Sequence, residues 1–485
     1  MISFFKNYRN ISIISMLWLL IGCNSQPKEI EKPLPNILWI MLEDWGYQLS
    51  CYGEPGINTP NIDQLATEGI RYTNSFCTAP VCSPSRSAMM TGFHQNFIEA
   101  NQHRTGKKFG IPKQFLPEGI MPLTEHLKAI GYHTALMQSK KTDLNFIHAK
   151  DLFDSWDWKN RKGGQPFFVQ ATFPGTHRKW RRDSVAPISV DSVRVPPYYP
   201  QTDFVKRDWA NGLEAMQIVD RQVGALLKRL QDEGLAENTL VFLIGDNGRC
   251  MPRGKQFLYD GGIQVPVIVR WPGKLDKGIV VEDLTTTLDI TKTILDIVGA
   301  EPKIPLHGRN LFDGSIKARE FIFVARDKMD STYDASRAIR SKQFKLIHNL
   351  MPERPYLQYN KYKENSYPTL AEMNVLFLKG ELNKDQSKFM YKTKPEFELY
   401  DVVNDPFELN NLAEIPDYQE VKNQYLEKLN TWRKSVNDEG VTDDFRNGGW
   451  PSNFPTRSLE DWEKHLEGFK PWVYRRPTDK MKHPY

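Results

Sequence analysis

The feature that most constrains the fold is a set of short, uninterrupted apolar runs, each ended abruptly by polar residues. Asn36–Leu42 reads Asn-Ile-Leu-Trp-Ile-Met-Leu between Pro35 and Glu43-Asp44. It has the length of a strand and no apolar/polar alternation, as expected of a strand buried on both faces. Residues 132–137, 167–173, 239–244 and 264–271 repeat the pattern. Between them lie helical patterns: 60–68 with Thr59 as N-cap and Gly69 as stop, 121–130 ending at Gly131, and 203–233 ending at Gly234. Strands alternating with helices predict an α/β fold, a mainly parallel sheet covered by helices on both sides. Ligands of such sheets bind beyond the carboxyl ends of the strands, where Glu43-Asp44 and Asp246-Asn247 fall.

After about Lys317 the pattern changes. Strand-like segments at 319–326, 338–349 and 398–403, then a helical pattern at 418–436, predict a smaller C-terminal α+β domain packed on the first. Residues 351–394, rich in Pro, Tyr, Lys and Glu, read as a long loop or insertion placed to wall a substrate cleft. A catalytic domain is therefore expected at 36–316 and a second domain at 317–485.

The amino terminus reads as an export signal over residues 1–22: Lys6 and Arg9 precede a short apolar stretch at 11–21. That stretch is too short for a permanent bilayer span. Leu20-Ile21-Gly22-Cys23 resembles the lipobox of bacterial lipoproteins, which implies cleavage before Cys23 and a lipid on its sulfur; a plain secretory signal is the alternative. Polar residues 23–35 then form a tether. Asn24 and Ser25 offer no aspartate retention signal, so the outer membrane is the expected location. Of the five cysteines, Cys51, Cys77 and Cys250 are read as small, buried and inert, and no zinc-like spacing or disulfide framework appears. With 64 basic and 59 acidic residues and no long basic run, the charge does not suggest a nucleic-acid partner.

The strongest local signal is Cys82-Ser83-Pro84-Ser85-Arg86, just before an apparent short helix that ends at Gly92. A helix N-terminus offers unpaired amides and a positive dipole end to an oxyanion. The segment matches the C-x-P-S-R signature of the sulfatase family, and the resemblance runs from Asn36 through Trp271 and more loosely to about Leu412. It implies an alkaline-phosphatase-like fold and a maturation enzyme that oxidises Cys82 to formylglycine, with Arg86 orienting the hydrated aldehyde. It also implies a divalent metal, usually Ca2+, held by Glu43, Asp44, Asp246 and Asn247 with the modified Cys82. Hard oxygen ligands from two strand ends suit calcium. Taken singly, Asp246-Asn247-Gly248 is an ordinary turn and Glu43-Asp44 suits a helix cap; two such pairs around a C-x-P-S-R segment are far more specific. Most members carry Asp-Asp where Glu43-Asp44 stands.

By the same resemblance Lys255, in Gly254-Lys255-Gln256-Phe257-Leu258-Tyr259-Asp260-Gly261-Gly262, contacts the sulfate, and His177 or Lys255 protonates the leaving oxygen. The common G-K-W-H segment is replaced by Ser139-Lys140-Lys141-Thr142-Asp143, similar to N-sulfoglucosamine sulfohydrolase-like sulfatases. Lys141 is then the sulfate-binding lysine, and Asp143 takes the place of the usual second histidine. The implied reaction is attack on sulfur by one hydroxyl of the formylglycine hydrate with Asp246 as base, followed by expulsion of sulfate. His103, Arg104, Asp143, Arg326 and Asp327, with Arg337, are candidates for a charged-sugar subsite, or else solvated surface charges. The expected substrate is a sulfated carbohydrate, either an algal polymer such as ulvan or a glycosaminoglycan. A phosphonate or phosphate monoester hydrolase of the same fold, or an inactive glycan-binding lipoprotein, are the alternatives.

Overall fold

The computed structural model describes residues 34–105, 112–448, 457–480 and 482–485. The signal segment, most of the tether and Cys23 with its expected lipid lie outside the described residues.

The apolar runs assemble into one seven-stranded sheet. Asn36–Leu42 lies at its heart, parallel to Thr239–Gly245 on one side and to Phe167–Phe173 on the other. His133–Met137 continues the parallel order beyond Phe167–Phe173, while Val267–Arg270 adds antiparallel beyond Thr239–Gly245. Ile70–Tyr72 and Ile279–Val281 complete the edge. The three central strands are buried along their whole length, which explains the missing alternation in their sequences. Leu38, Ile40 and Leu42 pack in one core with Val205, Leu213 and Met216 of the long helix Asp203–Asp232. Alternation turns Ile37, Trp39 and Met41 to the opposite face. Thr202 starts that helix, its hydroxyl accepting from Val205 N at 3.2 Å, and Gly234 at φ +69° follows its end.

The second sheet has four antiparallel strands, Ile322–Arg326, Ser336–Arg340, Phe344–Asn349 and Phe397–Asp401. Two sequence expectations need correction here. The apparent single strand at 338–349 is two strands of a hairpin, because Ser341 reverses the chain: its hydroxyl oxygen accepts from Gln343 N and Phe344 N, each at 3.0 Å. Residues 351–394 are not a bare loop but carry the helix Pro368–Lys379, with proline at its first turn and Gly380 at φ +73° beyond its end. That helix packs on Asp203–Asp232 and on Leu459–Tyr474, a helix absent from the sequence reading. The chain thus returns from the second sheet to cover the first.

One face of the second sheet grips the segment after Lys255. Val324, Ala338, Ile347 and Tyr400 form a core with Phe257, Leu258 and Tyr259. Asp260 is bound by Arg340 at 2.9 Å and Lys345 at 2.8 Å. The other face is covered by the helix Gln419–Ser435 through Leu429 and Trp432.

Arg326 and Asp327 belong to this framework and not to a sugar subsite, contrary to expectation. Both are buried; Arg326 pairs with Asp334 at 3.1 Å, and Arg337 is shared between Asp327 at 2.9 Å and Asp438 at 2.6 Å. Removing one partner from such a network leaves uncompensated buried charge, so Arg337→Met should cost about 3–5 kcal/mol in denaturant unfolding. A cost below about 1 kcal/mol would contradict the assignment. Burial raises the Asp438 carboxyl, but Arg337 and Arg433 outweigh it and hold it below the usual range. That stability is present above the unfolded pKa and is lost as pH falls through the lower folded value. The destabilisation by Arg337→Met should therefore be largest near neutral pH and shrink as pH falls, measured by denaturant unfolding across that range.

Candidate active site

Register brings the expected residues together. Leu42 lies opposite Phe173 on one side and Gly245 on the other, so Glu43-Asp44, the Pro174–Thr176 turn with His177, and Asp246-Asn247 emerge side by side. The next strand, His133–Met137, leads into the loop that carries Lys141. From the other direction the buried helix Cys82–Thr91 begins at Cys82.

Asp44 is the hub. Its backbone is left-handed, φ +54°, a conformation that aspartate tolerates better than most residues and that lets its N–H donate to Asp246 Oδ1 at 2.8 Å. Asp44 Oδ1 accepts from Asn247 Nδ2 at 3.0 Å and from the Cys82 thiol at 3.1 Å. Its Oδ2 accepts from Lys255 Nζ at 2.7 Å and Cys250 Sγ at 2.8 Å, with His177 Nε2 at 3.4 Å. Burial alone would raise this carboxyl, but Lys255, then His177, outweigh it and hold it well below the ordinary range.

Asp246 is differently placed. Arg86 Nε donates to its Oδ2 at 2.7 Å, and Asn247 Nδ2 to its Oδ1 at 2.8 Å. The carboxylate oxygen hydrogen-bonded to the Cys82 sulfur belongs to Asp44, while Asp246 offers an oxygen within 4.8 Å of that sulfur. Gly248 is required just beyond, since a Cβ there would stand 2.1 Å from the Gly261 carbonyl oxygen.

Cys82 is buried, and Lys255 Nζ reaches its sulfur at 3.2 Å. Burial and the neighbouring Asp44 push the thiol well above its usual pKa. An unmodified Cys82 therefore stays protonated at neutral pH and is a poor nucleophile. Lys141 is bonded to Glu43 and lies 3.3 Å from Asp143, which helps to position this lysine. Burial works against its charge, but Cys82, Asp143 and Glu43 raise the Lys141 pKa above that of a free lysine.

The donor set fits a hard divalent cation. Asp44, Cys82 and Asp246 offer atoms within 4.8 Å of one another, and Asn247 Oδ1 is buried without a hydrogen-bond partner among the described residues. Glu43 is buried beside them, with Arg86 Nη2 at 3.8 Å. Arg86 Nη1 and Nη2 are buried with no hydrogen-bond acceptor among the described residues, donors held ready for an oxyanion.

His103 and Arg104 stand further out, on Asp330 at 3.4 and 2.6 Å. Two contacts were missed in the sequence. Cys250, read as inert, donates to Asp44; its closeness to Asp246 in sequence was the available signal. Tyr362 comes from the 351–394 segment, and its hydroxyl lies 3.3 Å from His177 Nε2 and 3.7 Å from Cys250 Sγ. Tyr362→Phe should lower kcat about tenfold, near 1.4 kcal/mol, with KM little changed, since it frees the His177 ring. An unchanged kcat would remove Tyr362 from the site.

A buried carboxylate cluster for a cation, faced by cations for an oxyanion, is what hydrolysis of a charged oxyanion ester requires, and that is the class this site defines. Known proteins narrow it. The sulfatase family profile matches residues 35–156 and 137–300, and the N-sulphoglucosamine sulphohydrolase C-terminal profile matches 253–381. An ulvan-active sulfatase from Formosa agariphila is 34% identical over 90% of this chain and 83% of its own length. Human N-sulphoglucosamine sulphohydrolase is 25% identical over 88% of this chain and 94% of its own. A solved 2-O GAG sulfatase superposes with a TM-score of 0.62 at 18% identity, covering 85% of this chain and 96% of that one, a likeness of fold. The chain belongs to the sulfatase family and is a sulfuric ester hydrolase.

Proposed function

We propose that this sulfatase removes sulfate from a sulfated polysaccharide of the ulvan type, or from its oligosaccharides, with a formylglycine made from Cys82 and a bound Ca2+. The observation that carries the chemistry is the Cys82 sulfur at a helix N-terminus, touched at once by Asp44, Lys255 and Asn247. Likeness to the ulvan-active sulfatase supports the substrate.

Formylglycine supplies a hydrate with two hydroxyls, one to attack sulfur and one whose later deprotonation expels sulfate. Glu43, Asp44, Asp246 and Asn247 would hold the metal, which supplies electrophilic stabilisation of sulfate oxygens. Asp246, with an oxygen within 4.8 Å of the Cys82 sulfur and a carboxyl that burial pushes up, is the base that takes the attacking proton. Lys255, Lys141 and Arg86 place positive charge around the sulfate, and that charge grows in value as the transition state spreads charge over its oxygens. His177, its Nδ1 2.6 Å from the Arg178 carbonyl oxygen and its Nε2 toward Tyr362, is oriented to protonate the leaving alcohol.

Sulfate release from ulvan, carrageenan and heparan oligosaccharides, with an aryl phosphate alongside, tests this on matured enzyme. Release from ulvan oligosaccharides is expected; none there, or faster phosphate turnover, overturns the reading. The metal has its own readout. A cation that binds only the folded chain should add about 2.7 kcal/mol of stability at a hundredfold its Kd. Thermal unfolding should rise with Ca2+ in the parent chain and not in Asp44→Asn; equal curves with and without Ca2+ would remove the metal. We also read Cys23 as lipidated and the enzyme as anchored at the outer membrane. Palmitate labelling that survives in Cys23→Ser would refute the anchor.

A further inference from the structure

A second cavity, of about 860 Å3, adjoins the reaction site and is lined by Arg104, Lys179, Lys328, Tyr333, Lys361 and Tyr362, among others. Arg178 and Lys179 border both it and the neighbouring cavity of about 580 Å3 that holds Glu43, Lys141 and His177. Tyr362, on its wall, is the same residue whose hydroxyl meets His177. A group in the second cavity is therefore one neighbour away from the general acid.

The charges in this cavity do not balance. Arg178 is neutralised by Asp208 through hydrogen bonds of 2.6 and 2.9 Å, and Arg104 by Asp330 at 2.6 Å. Lys179 donates to the main-chain oxygen of Tyr485. Asp330 is the one acidic side chain among the described lining residues, and both its oxygens are taken. Oδ1 faces Arg104 and His103; Oδ2 accepts from Gln256 at 2.8 Å and Asn360 at 3.2 Å. Lys328 is left over. It is only 4% exposed, its carbonyl oxygen accepts from His103 N at 2.8 Å, and its ammonium, 5.5 Å from the Tyr333 ring centroid, makes no hydrogen bond or ion pair among the described residues. An ammonium so enclosed, with Asp330 near it but already paired elsewhere, is unfavourable, and an anion entering the cavity relieves it. Burial lowers the Lys328 pKa, and although Asp330 draws it back and Arg104 opposes it, the net shift is downward.

We propose that this cavity binds a second anionic group of the glycan, a carboxylate or sulfate on the sugar next to the one whose ester is cleaved. Lys328 pairs with that anion, Lys361 attracts it from the rim, and Tyr333 packs against the sugar ring. The assignment rests on the glycan-sulfatase reading above and adds what the substrate must carry: charge on two neighbouring sugars.

The test is calorimetric binding, in Ca2+, of an ulvan tetrasaccharide and a heparan tetrasaccharide to the full-length chain carrying Cys82→Ala, which blocks turnover. Lys328→Met and the exposed Lys361→Ala are added singly, with thermal unfolding to verify the fold. The tetrasaccharide that binds is also supplied carboxyl-reduced and, separately, desulfated on the neighbouring sugar. Lys328→Met should bind the native tetrasaccharide at least tenfold more weakly, Lys361→Ala about threefold more weakly and with a flatter salt dependence. One modified tetrasaccharide should bind Lys328→Met and its parent alike: the carboxyl-reduced form if the anion is a carboxylate, the desulfated form if it is a sulfate. Unchanged affinity in both variants overturns the subsite, as does an equal loss for native and both modified ligands. If neither tetrasaccharide binds the parent, the glycan reading itself has failed.

Discussion

The Cys82→Ala chain should fold, bind Ca2+ and bind sulfated oligosaccharide, yet release sulfate roughly 100,000-fold more slowly than the matured enzyme. The size of this effect follows from what surrounds Cys82. Asp44, Lys255 and Asn247 all aim polar atoms at its sulfur, and none of them can attack the substrate once that position is a methyl group. Cys82→Ser should be nearly as poor, because a hydroxyl can attack sulfur once but cannot collapse by losing a second proton. A burst of no more than one equivalent would mark the serine variant. Residual turnover within tenfold of wild type in Cys82→Ala would mean that the nucleophile is elsewhere.

Lys255→Ala should have the next largest effect, in two separable readouts. Lys255 is buried and donates to both Asp44 Oδ2 and Cys82 Sγ. Loss of a preorganised charge on the transferring group is expected to lower kcat on the order of 100- to 1,000-fold. The same change removes the ammonium from a buried carboxylate, which should destabilise the metal-free protein by about 3–5 kcal/mol. Because the cation site shares Asp44, added Ca2+ should recover a large part of that stability and almost none of the rate. Recovery of both would show that Lys255 serves only to neutralise Asp44.

The sequence reveals the sheet because the strands it uses are buried on both faces. Asn36–Leu42, Phe167–Phe173 and Thr239–Gly245 have no solvent side, so their apolar runs are unbroken and their ends are marked by the first polar residue. Those end residues also line the site, so Glu43, Asp44, Asp246 and Asn247 are legible from their position just after the apolar runs. The hairpin at 341–343 was invisible for the converse reason: Ser341 makes the turn by side-chain hydrogen bonds, without glycine or proline. Pro368–Lys379 did carry helix punctuation, Tyr367-Pro368 at the start and Gly380 at the end, but its surroundings outweighed it.

The site was legible in the same uneven way. Residues immediately after strands were found by position, whereas Tyr362 and Lys328 arrive from elements whose approach depends on the second half of the chain folding back. Arg326 and Asp327 misled because a charged pair after a strand has the same look whether it meets ligand or Arg337 and Asp334. Cys250 misled because burial and inertness are ordinarily the same thing for a cysteine; here a buried thiol is 2.8 Å from the central carboxylate.

The most direct test is mass spectrometry of the tryptic peptide at 72–86 from protein made in its native host. This peptide contains both Cys77 and Cys82. Cys77 is buried in the core with Phe257 and Ile263, so it serves as an internal reference that stays a thiol and takes up alkylating reagent. The account predicts one alkylated cysteine, at 77, and at 82 the loss of mass that accompanies conversion of thiol to aldehyde. Two alkylated cysteines in native-host protein would contradict it, leaving a sulfatase fold without its nucleophile.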